Sequence, residues 1–156
     1  MLQERIESAL RQALRERREL NLSVFRMLSA AIHNKEIEER TRRGEGRAVS
    51  LTDEEVIGVI RAEVKKRHDA AEAYARGGRP DAAERERSEA AILEAFLPQE
   101  LSAPELEGLV AEGVVALGAS SPKDFGKVMG RVMERVRGRA SGERVAEFVR
   151  RRLTPP

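Results

Sequence analysis

The chain has 156 residues, with one Tyr, four Phe, no Trp and no Cys. The absence of cysteine excludes disulfides, thiolate metal sites and cysteine nucleophiles, and the few aromatic residues with 36% charged residues favour packed helices over a β-sandwich. The net charge is only +2, and no apolar run approaches the ~18 residues that span a bilayer, so we expect a cytoplasmic protein with no membrane partner.

Apolar residues recur at helical spacing along the whole chain and predict an all-α fold, because no period-two pattern indicates a strand. The first helix carries an apolar stripe from Leu2 to Leu14. Ser23 is predicted to cap the second helix. The charged tail of that helix, residues 34–43, is either an exposed helix end or a mobile connection. Its carboxylates, including Glu39, are interpreted as a solvated face.

The third and fourth helices are predicted from their end signals. Thr52 followed by Glu55 forms a capping box, which marks the start of the third helix. Its spacing continues to Gly77, where we expect it to end. A fourth helix is expected to start near Asp81 and to end before Pro98.

The segment FLPQELSAPE (96–105) is the predicted domain junction, because it contains two prolines and a second capping box, Ser102 with Glu105. We therefore predict an N-terminal helical domain over residues 1–98. A small C-terminal helical bundle is predicted over residues 99–156.

Three helices are predicted in this bundle. The first of them ends at Gly118, and the next has Ser121 as its N-cap and Pro122 as its first residue. Ser141 is predicted to cap the last helix. The middle helix, the sixth of the chain, has a predicted buried stripe of Phe125, Val128, Met129, Val132, Met133 and Val136.

Positive charge is concentrated at the C-terminal end. Ten basic and four acidic residues lie from position 121 onward, a net charge of +6, whereas the first 120 residues carry −4. In the sixth helix cations recur at every fourth position and so stack on adjacent turns. This surface suits phosphate neutralisation, and the alternative is an ordinary solvated face. The cations are Lys123, Lys127, Arg131 and Arg135, continued by Arg137 and Arg139.

Gly126 and Gly130 interrupt the sixth helix, where each glycine costs about 1 kcal/mol relative to alanine. Their spacing places both on one side of the helix. As packing residues they would let another helix approach closely. As surface residues they would let a nucleic-acid backbone come near the main chain. Periodicity slightly favours packing, and both interpretations stay open.

No catalytic or metal-binding constellation is predicted. His33 and His68 match no metal-ligand spacing. The strings GEGR (44–47) and RGGR (76–79) follow no strand and do not match a P-loop, so they are interpreted as helix ends. No Ser–His–Asp or Ser–Lys arrangement has supporting context. We therefore expect a binding protein without a catalytic centre, cofactor or metal.

Long stretches of the chain resemble known proteins. NKEIEE (34–39) and residues 51–102, which begin LTDEEVIG and end FLPQELS, resemble the stand-alone YqeY proteins of bacteria. Residues 118–153, with KDFGKVMGRVM, resemble the tail domain that YqeY proteins share with the GatB subunit of tRNA-dependent amidotransferase. The resemblance implies an all-helical protein with a larger N-terminal part and a small C-terminal bundle.

The resemblance also implies a partner. In the amidotransferase this tail helps to hold the tRNA whose misacylated Glu or Asp is amidated, which implies tRNA or another structured RNA as the partner here. Few aromatic residues imply contacts mostly to phosphate and shape. The resemblance places these contacts on Lys123, Gly126, Lys127, Gly130, Arg131 and Gly138.

Two alternatives follow from the same resemblance. The first is participation in glutamine-dependent carbon–nitrogen ligase (amidotransferase) activity on Glu-tRNA or Asp-tRNA, although nothing in the chain resembles the catalytic domain of GatB or the subunit that hydrolyses glutamine. The second is a protein-interaction module, in which the N-terminal helices dock an amidotransferase subunit or an aminoacyl-tRNA synthetase.

Overall fold

The computed structural model describes residues 1–44 and 46–155. In these ranges it contains seven α-helices, one 3₁₀ turn at Pro122–Asp124 and no strand, which confirms the all-α class. None of these helices is long and apolar enough to cross a membrane. The helices are α1 (Leu2–Arg15), α2 (Glu19–Arg43), α3 (Asp53–Arg76), α4 (Pro80–Glu94), α5 (Ala103–Leu117), α6 (Phe125–Val136) and α7 (Gly142–Leu153).

Residue contacts divide the chain into two compact units, Met1–Leu97 and Pro98–Pro156. The N-terminal unit packs α1 to α4 around one apolar core. Each helix contributes at least one side chain that is almost fully buried, and burying such a side chain stabilises the fold by about 1.5–3 kcal/mol. These side chains are Ile6, Leu28, Ile60 and Leu93.

The predicted signals at the ends of α3 are confirmed. The Thr52 hydroxyl accepts a hydrogen bond from the Glu55 amide at 3.2 Å, and the Glu55 carboxylate accepts one from the Thr52 amide at 2.8 Å. These bonds satisfy two amides that the first turn of a helix leaves unpaired. Gly44 and Gly77 are the C-caps of α2 and α3, so GEGR and RGGR contain helix ends as expected.

The predicted start of α2 is wrong, because Ser23 lies inside a helix that begins at Glu19. The cause is the tight turn after α1. Arg17 adopts a left-handed backbone with φ +54°, and the amide of Arg18 donates to the carbonyl of Ala13 at 3.0 Å. This turn closes α1 in a few residues, and α2 therefore starts before the serine.

The charged tail of α2 is helical to Arg43, and one of its carboxylates is buried. Glu39 is only 5% exposed and pairs with Arg42, with Lys35 at 3.2 Å and with Arg43 at 3.3 Å. The Arg42 hydrogen bond, supported by Lys35, outweighs the effect of burial and lowers the pKa of Glu39 to about 2. The interpretation of this carboxylate as solvated is wrong. Arg43 also pairs with Glu55, which joins the end of α2 to the start of α3.

Glu39 gives the N-terminal unit an expected acid dependence. Its pKa of about 2 lies below the ordinary 4.5, so its stabilising contribution is complete above pH 4.5 and is lost as the pH falls towards 2. We expect Glu39→Gln to lower the free energy of unfolding near neutral pH and to flatten its dependence on pH in this window. Urea unfolding followed by Tyr74 fluorescence measures both, with the exposed Glu38→Gln as control. Parallel curves for Glu39→Gln and wild type would contradict the assignment.

The C-terminal unit packs α5, α6 and α7 around a second core. Gly113 on α5 lies against α6, because a Cβ atom at this position would be 3.0 Å from Cγ2 of the buried Val132. The two helices therefore approach closely at Gly113. The amide of Leu101 donates to the carbonyl of Arg139 at 2.8 Å and so joins the start of the unit to the turn between α6 and α7.

Candidate nucleic-acid interface

The start of α6 is fixed by an aspartate. Asp124 accepts hydrogen bonds from the amides of Ser120 at 2.9 Å and Ser121 at 3.2 Å, and these bonds hold its pKa below the ordinary value. The first turn winds as a 3₁₀ turn, so Pro122 begins that turn whereas α6 begins at Phe125. The predicted cap at Ser121 is therefore confirmed for the 3₁₀ turn, and the predicted first residue of α6 is wrong.

The buried stripe of α6 is narrower than the sequence predicts. Val128, Val132 and Val136 are fully buried, and Phe125 and Met129 are partly buried against the same core. Met133 is 37% exposed, so its assignment to the buried stripe is wrong. A helix turns about 100° per residue, so Met133 is rotated by about that angle from Val132 and lies at the edge of the stripe.

The predicted cation series begins in the 3₁₀ turn before α6, where Lys123 lies, and it falls into two groups. Lys123, Lys127 and Arg131 are exposed, and no carboxylate in residues 1–44 or 46–155 forms an ion pair with them. Lys127 does attract Asp124 and contributes to the lowered pKa of that carboxyl. The N-terminal half of α6 therefore presents positive charge that the protein itself leaves largely uncompensated.

Two cations at and after the C-terminal end of α6 form ion pairs with α5 instead. Arg135 pairs with Glu112 of α5 at 3.2 Å, and Arg139 pairs with Glu105 of α5 at 3.7 Å. These residues lie around an open groove of about 480 Å³ between α5 and the end of α6. Arg137, at the end of α6, is exposed and adopts a left-handed backbone with φ +49°, which a residue other than glycine rarely does.

The predicted glycines occupy different environments. Gly126 and Gly130 are exposed, and a Cβ atom on either would meet nothing within 4 Å in the C-terminal unit. The packing interpretation thus finds no partner helix for them within this unit, where the close helix contact is at Gly113. Gly138 has φ +75° and lies in the turn after α6, which requires its conformational freedom.

Sequence reasoning missed the arginines of α7. The guanidinium of Arg150 lies 5.2 Å from the ring centroid of Phe125, so α7 adds a cation beside the start of α6. Arg150 is exposed and follows Lys123 by 27 positions in the sequence. The sequence shows residues 150–152 as a run of positive charge. No local pattern predicts that Arg150 lies beside Phe125 at the start of α6.

One family model matches nearly the whole chain. The family model of the YqeY family, described as Yqey-like protein, matches residues 3–153. The chain belongs to the YqeY family. No curated protein matches it. The family match spans the helices of both units, so the α6 surface of this YqeY-family protein lies within the matched region.

The acidic and histidine side chains of this YqeY-family protein form no metal site in the described part of the chain, where no group of three or more potential ligands converges. His33 and His68 are exposed and lie on different helices. His68 Nε2 lies 2.7 Å from Glu94 Oε1, which joins α3 to α4. The two histidines therefore make side-chain contacts within the N-terminal unit, His33 with Glu36 and His68 with Glu94.

Proposed function

We propose that this YqeY-family protein binds structured RNA, and tRNA in particular, through α6 and the turn that follows it. The observation that carries the proposal is the exposed cation series Lys123, Lys127 and Arg131 beside the open glycines Gly126 and Gly130. Successive cations are one turn apart, roughly 6 Å along the helix axis. They can therefore neutralise neighbouring phosphates, and the missing side chains at the glycines leave room for an RNA backbone near the main chain.

The resemblance of residues 118–153 to the GatB tail supports tRNA as the RNA class. Helical side chains that meet phosphates recognise shape more than sequence. The test is a titration of fluorescent tRNA with the full chain, followed by anisotropy at several salt concentrations. We expect the affinity to fall steeply as salt rises. The absence of binding at low salt would overturn the proposal.

Ligase activity is the first alternative, and it rests on the family relationship alone. Purified protein incubated with Glu-tRNA, glutamine and ATP would be assayed for Gln-tRNA. Product formed without other subunits would assign catalysis to this chain. Product formed only after amidotransferase subunits are added would assign an accessory role.

Protein docking by the N-terminal unit is the second alternative, and a groove favours it. Met27 on α2 is an exposed apolar side chain that lines an open groove of about 540 Å³ between α2 and α3. Ala30, Ala31 and Ala62 also line this groove, which suits the close approach of another helix. A pull-down from extract, with and without RNase, separates direct protein contacts from contacts bridged by RNA.

The open glycine face leads to a prediction for Gly130→Leu. We expect the variant to be as stable as wild type or up to about 1 kcal/mol more stable, because leucine has the higher helix propensity and meets open space. We expect tRNA affinity to fall about tenfold or more, because the side chain would separate the backbone of the RNA from α6, and one charge-assisted hydrogen bond is worth about 1.5–3 kcal/mol. Thermal unfolding by circular dichroism and tRNA titration measure the two effects.

Gly58→Leu is the matched control for this variant. Gly58 is also exposed within a helix, and its Cβ position is also open, but it lies on α3 in the N-terminal unit. We expect a similar gain in stability and unchanged tRNA affinity. A large loss of stability in Gly130→Leu would restore the packing interpretation and contradict the RNA role of this glycine.

A further inference from the structure

Two arginines lie over an aromatic ring on α7. The guanidinium carbon of Arg151 is 5.0 Å from the ring centroid of Phe148, and that of Arg144 is 6.0 Å from it. Both arginines lie one helical turn from the phenylalanine, which explains the stack. Arg151 is held by Glu147 at 2.7 Å, and Arg144 is held by a carboxylate at 3.3 Å. These exposed ion pairs favour, but do not lock, the positions of both guanidinium groups over the ring.

Beside this stack a recess of about 250 Å³ opens between α5 and α7. Its wall on α5 is the buried side chain of Val110, and its aromatic side is Phe148. Arg151 and Arg152 supply positive charge, and Glu107 supplies one carboxylate at the same recess. Within the described residues, neither Glu107 nor Arg152 forms an ion pair, so both are available to a ligand.

We propose that this recess binds a single unstacked nucleobase together with its adjoining phosphate. The base would lie on the guanidinium plane of Arg151, which itself lies over the Phe148 ring, since unstacked bases stack on arginine planes as well as on aromatic rings. Arg151 and Arg152 would contact the phosphate through charge-assisted hydrogen bonds. The site lies on a different helix pair from the α6 cations, and its use by RNA rests on the RNA-binding function proposed above.

The carboxylate of Glu107 gives the recess a base preference. A carboxylate accepts hydrogen bonds, and it therefore suits the exocyclic amino groups of adenine, cytosine and guanine. Uracil has no such amino group, and its single N3–H donor lies between two carbonyl oxygens that repel a carboxylate. Glu107 therefore selects against uridine, and Glu107→Gln reduces this selection because an amide can also donate.

The test compares one RNA hairpin with a blunt end and the same hairpin with a 3′ extension of four adenosines. We expect the extension to raise affinity about fivefold or more, the range of a stacked base, and an extension of four uridines to raise it less. Phe148→Leu and Arg152→Glu should remove the gain and leave the affinity for the blunt hairpin nearly unchanged. Lys127→Glu/Arg131→Glu should weaken both hairpins together. Circular dichroism checks that each variant is folded.

The outcomes separate this proposal from RNA binding in general. Equal affinity for blunt and extended hairpins, with binding still lost in Lys127→Glu/Arg131→Glu, would overturn the base site and leave the α6 interface in place. If no hairpin binds, titration with free adenosine 5′-monophosphate, followed by the amide resonances of Val110 and Arg152, decides whether the recess binds a free nucleotide. Unchanged resonances would overturn the site both for a base within RNA and for a free nucleotide.

Discussion

Reversal of two charges on α6, in Lys127→Glu/Arg131→Glu, is expected to weaken tRNA binding about 100-fold or more at low salt. Both side chains are exposed, and no described carboxylate pairs with either. Each lost charge-assisted contact is worth about 1.5–3 kcal/mol, and the new carboxylates repel phosphate. The slope of log affinity against log salt should also become shallower by about two units, because two fewer phosphates are neutralised. Anisotropy titrations of labelled tRNA at several salt concentrations measure both effects.

The matched control is Arg11→Glu/Arg15→Glu. These two arginines have the same spacing on an exposed face of α1, so the change in net charge is identical. We expect the control to retain most of the tRNA affinity and the salt slope. The stability of Lys127→Glu/Arg131→Glu should remain within about 0.5 kcal/mol of wild type. Equal weakening by both double variants would mean that net charge, and not the α6 surface, determines binding.

Removal of a buried arginine should have the largest effect on stability. Arg67 on α3 is 4% exposed; its Nη1 lies 2.9 Å from Glu63 Oε2, and its Nε lies 3.4 Å from Glu89 Oε2 on α4. Arg67→Met leaves two buried carboxylates that each keep one exposed partner, Lys66 for Glu63 and Arg85 for Glu89, but lose their buried counter-charge. The expected loss is about 3–5 kcal/mol in the free energy of unfolding of the N-terminal unit.

Tyrosine fluorescence can follow this unit by itself, because Tyr74 is the single Tyr of a chain without Trp and lies on α3. Urea titration of Arg67→Met would measure the loss. Adding Glu63→Gln and Glu89→Gln should restore much of it, since the buried charges are then removed. The control is Arg87→Met, since Arg87 is exposed and pairs with the exposed Glu84, and its expected change is within about 0.5 kcal/mol. A loss below about 1 kcal/mol in Arg67→Met would mean that the carboxylates find water or other partners.

Helix ends were predictable where the residues that decide them are adjacent in sequence. Thr52 with Glu55 and Ser102 with Glu105 form the expected capping boxes in α3 and α5. Ser23 did not cap α2, because the left-handed turn after α1 allowed the helix to restart earlier. A capping residue shows where a helix can begin, whereas the geometry of the preceding turn decides whether it begins there.

The exposed side of α6 was predictable only in outline. The spacing of Lys123, Lys127 and Arg131 fixes their order along the helix. The pairing of Arg135 with Glu112 depends on a residue 23 positions away on α5, so nothing in the local pattern marks that arginine as tethered. Nothing in the local pattern marks Gly113 of α5 as a packing glycine either, because its neighbour Val132 lies on another helix.

The sequence by itself determined the helical class, most helix ends and the position of the cations, because these depend on local spacing and on residues within one or two turns. The tertiary structure alone decided which charges are buried, paired or free. Glu39 was interpreted as a solvated carboxylate, and no prediction was made for Arg67, yet packing removes both from water and surrounds them with counter-charges. Burial and ion pairing depend on neighbouring side chains that are distant in the sequence. Only the packing of the helices brings those side chains together.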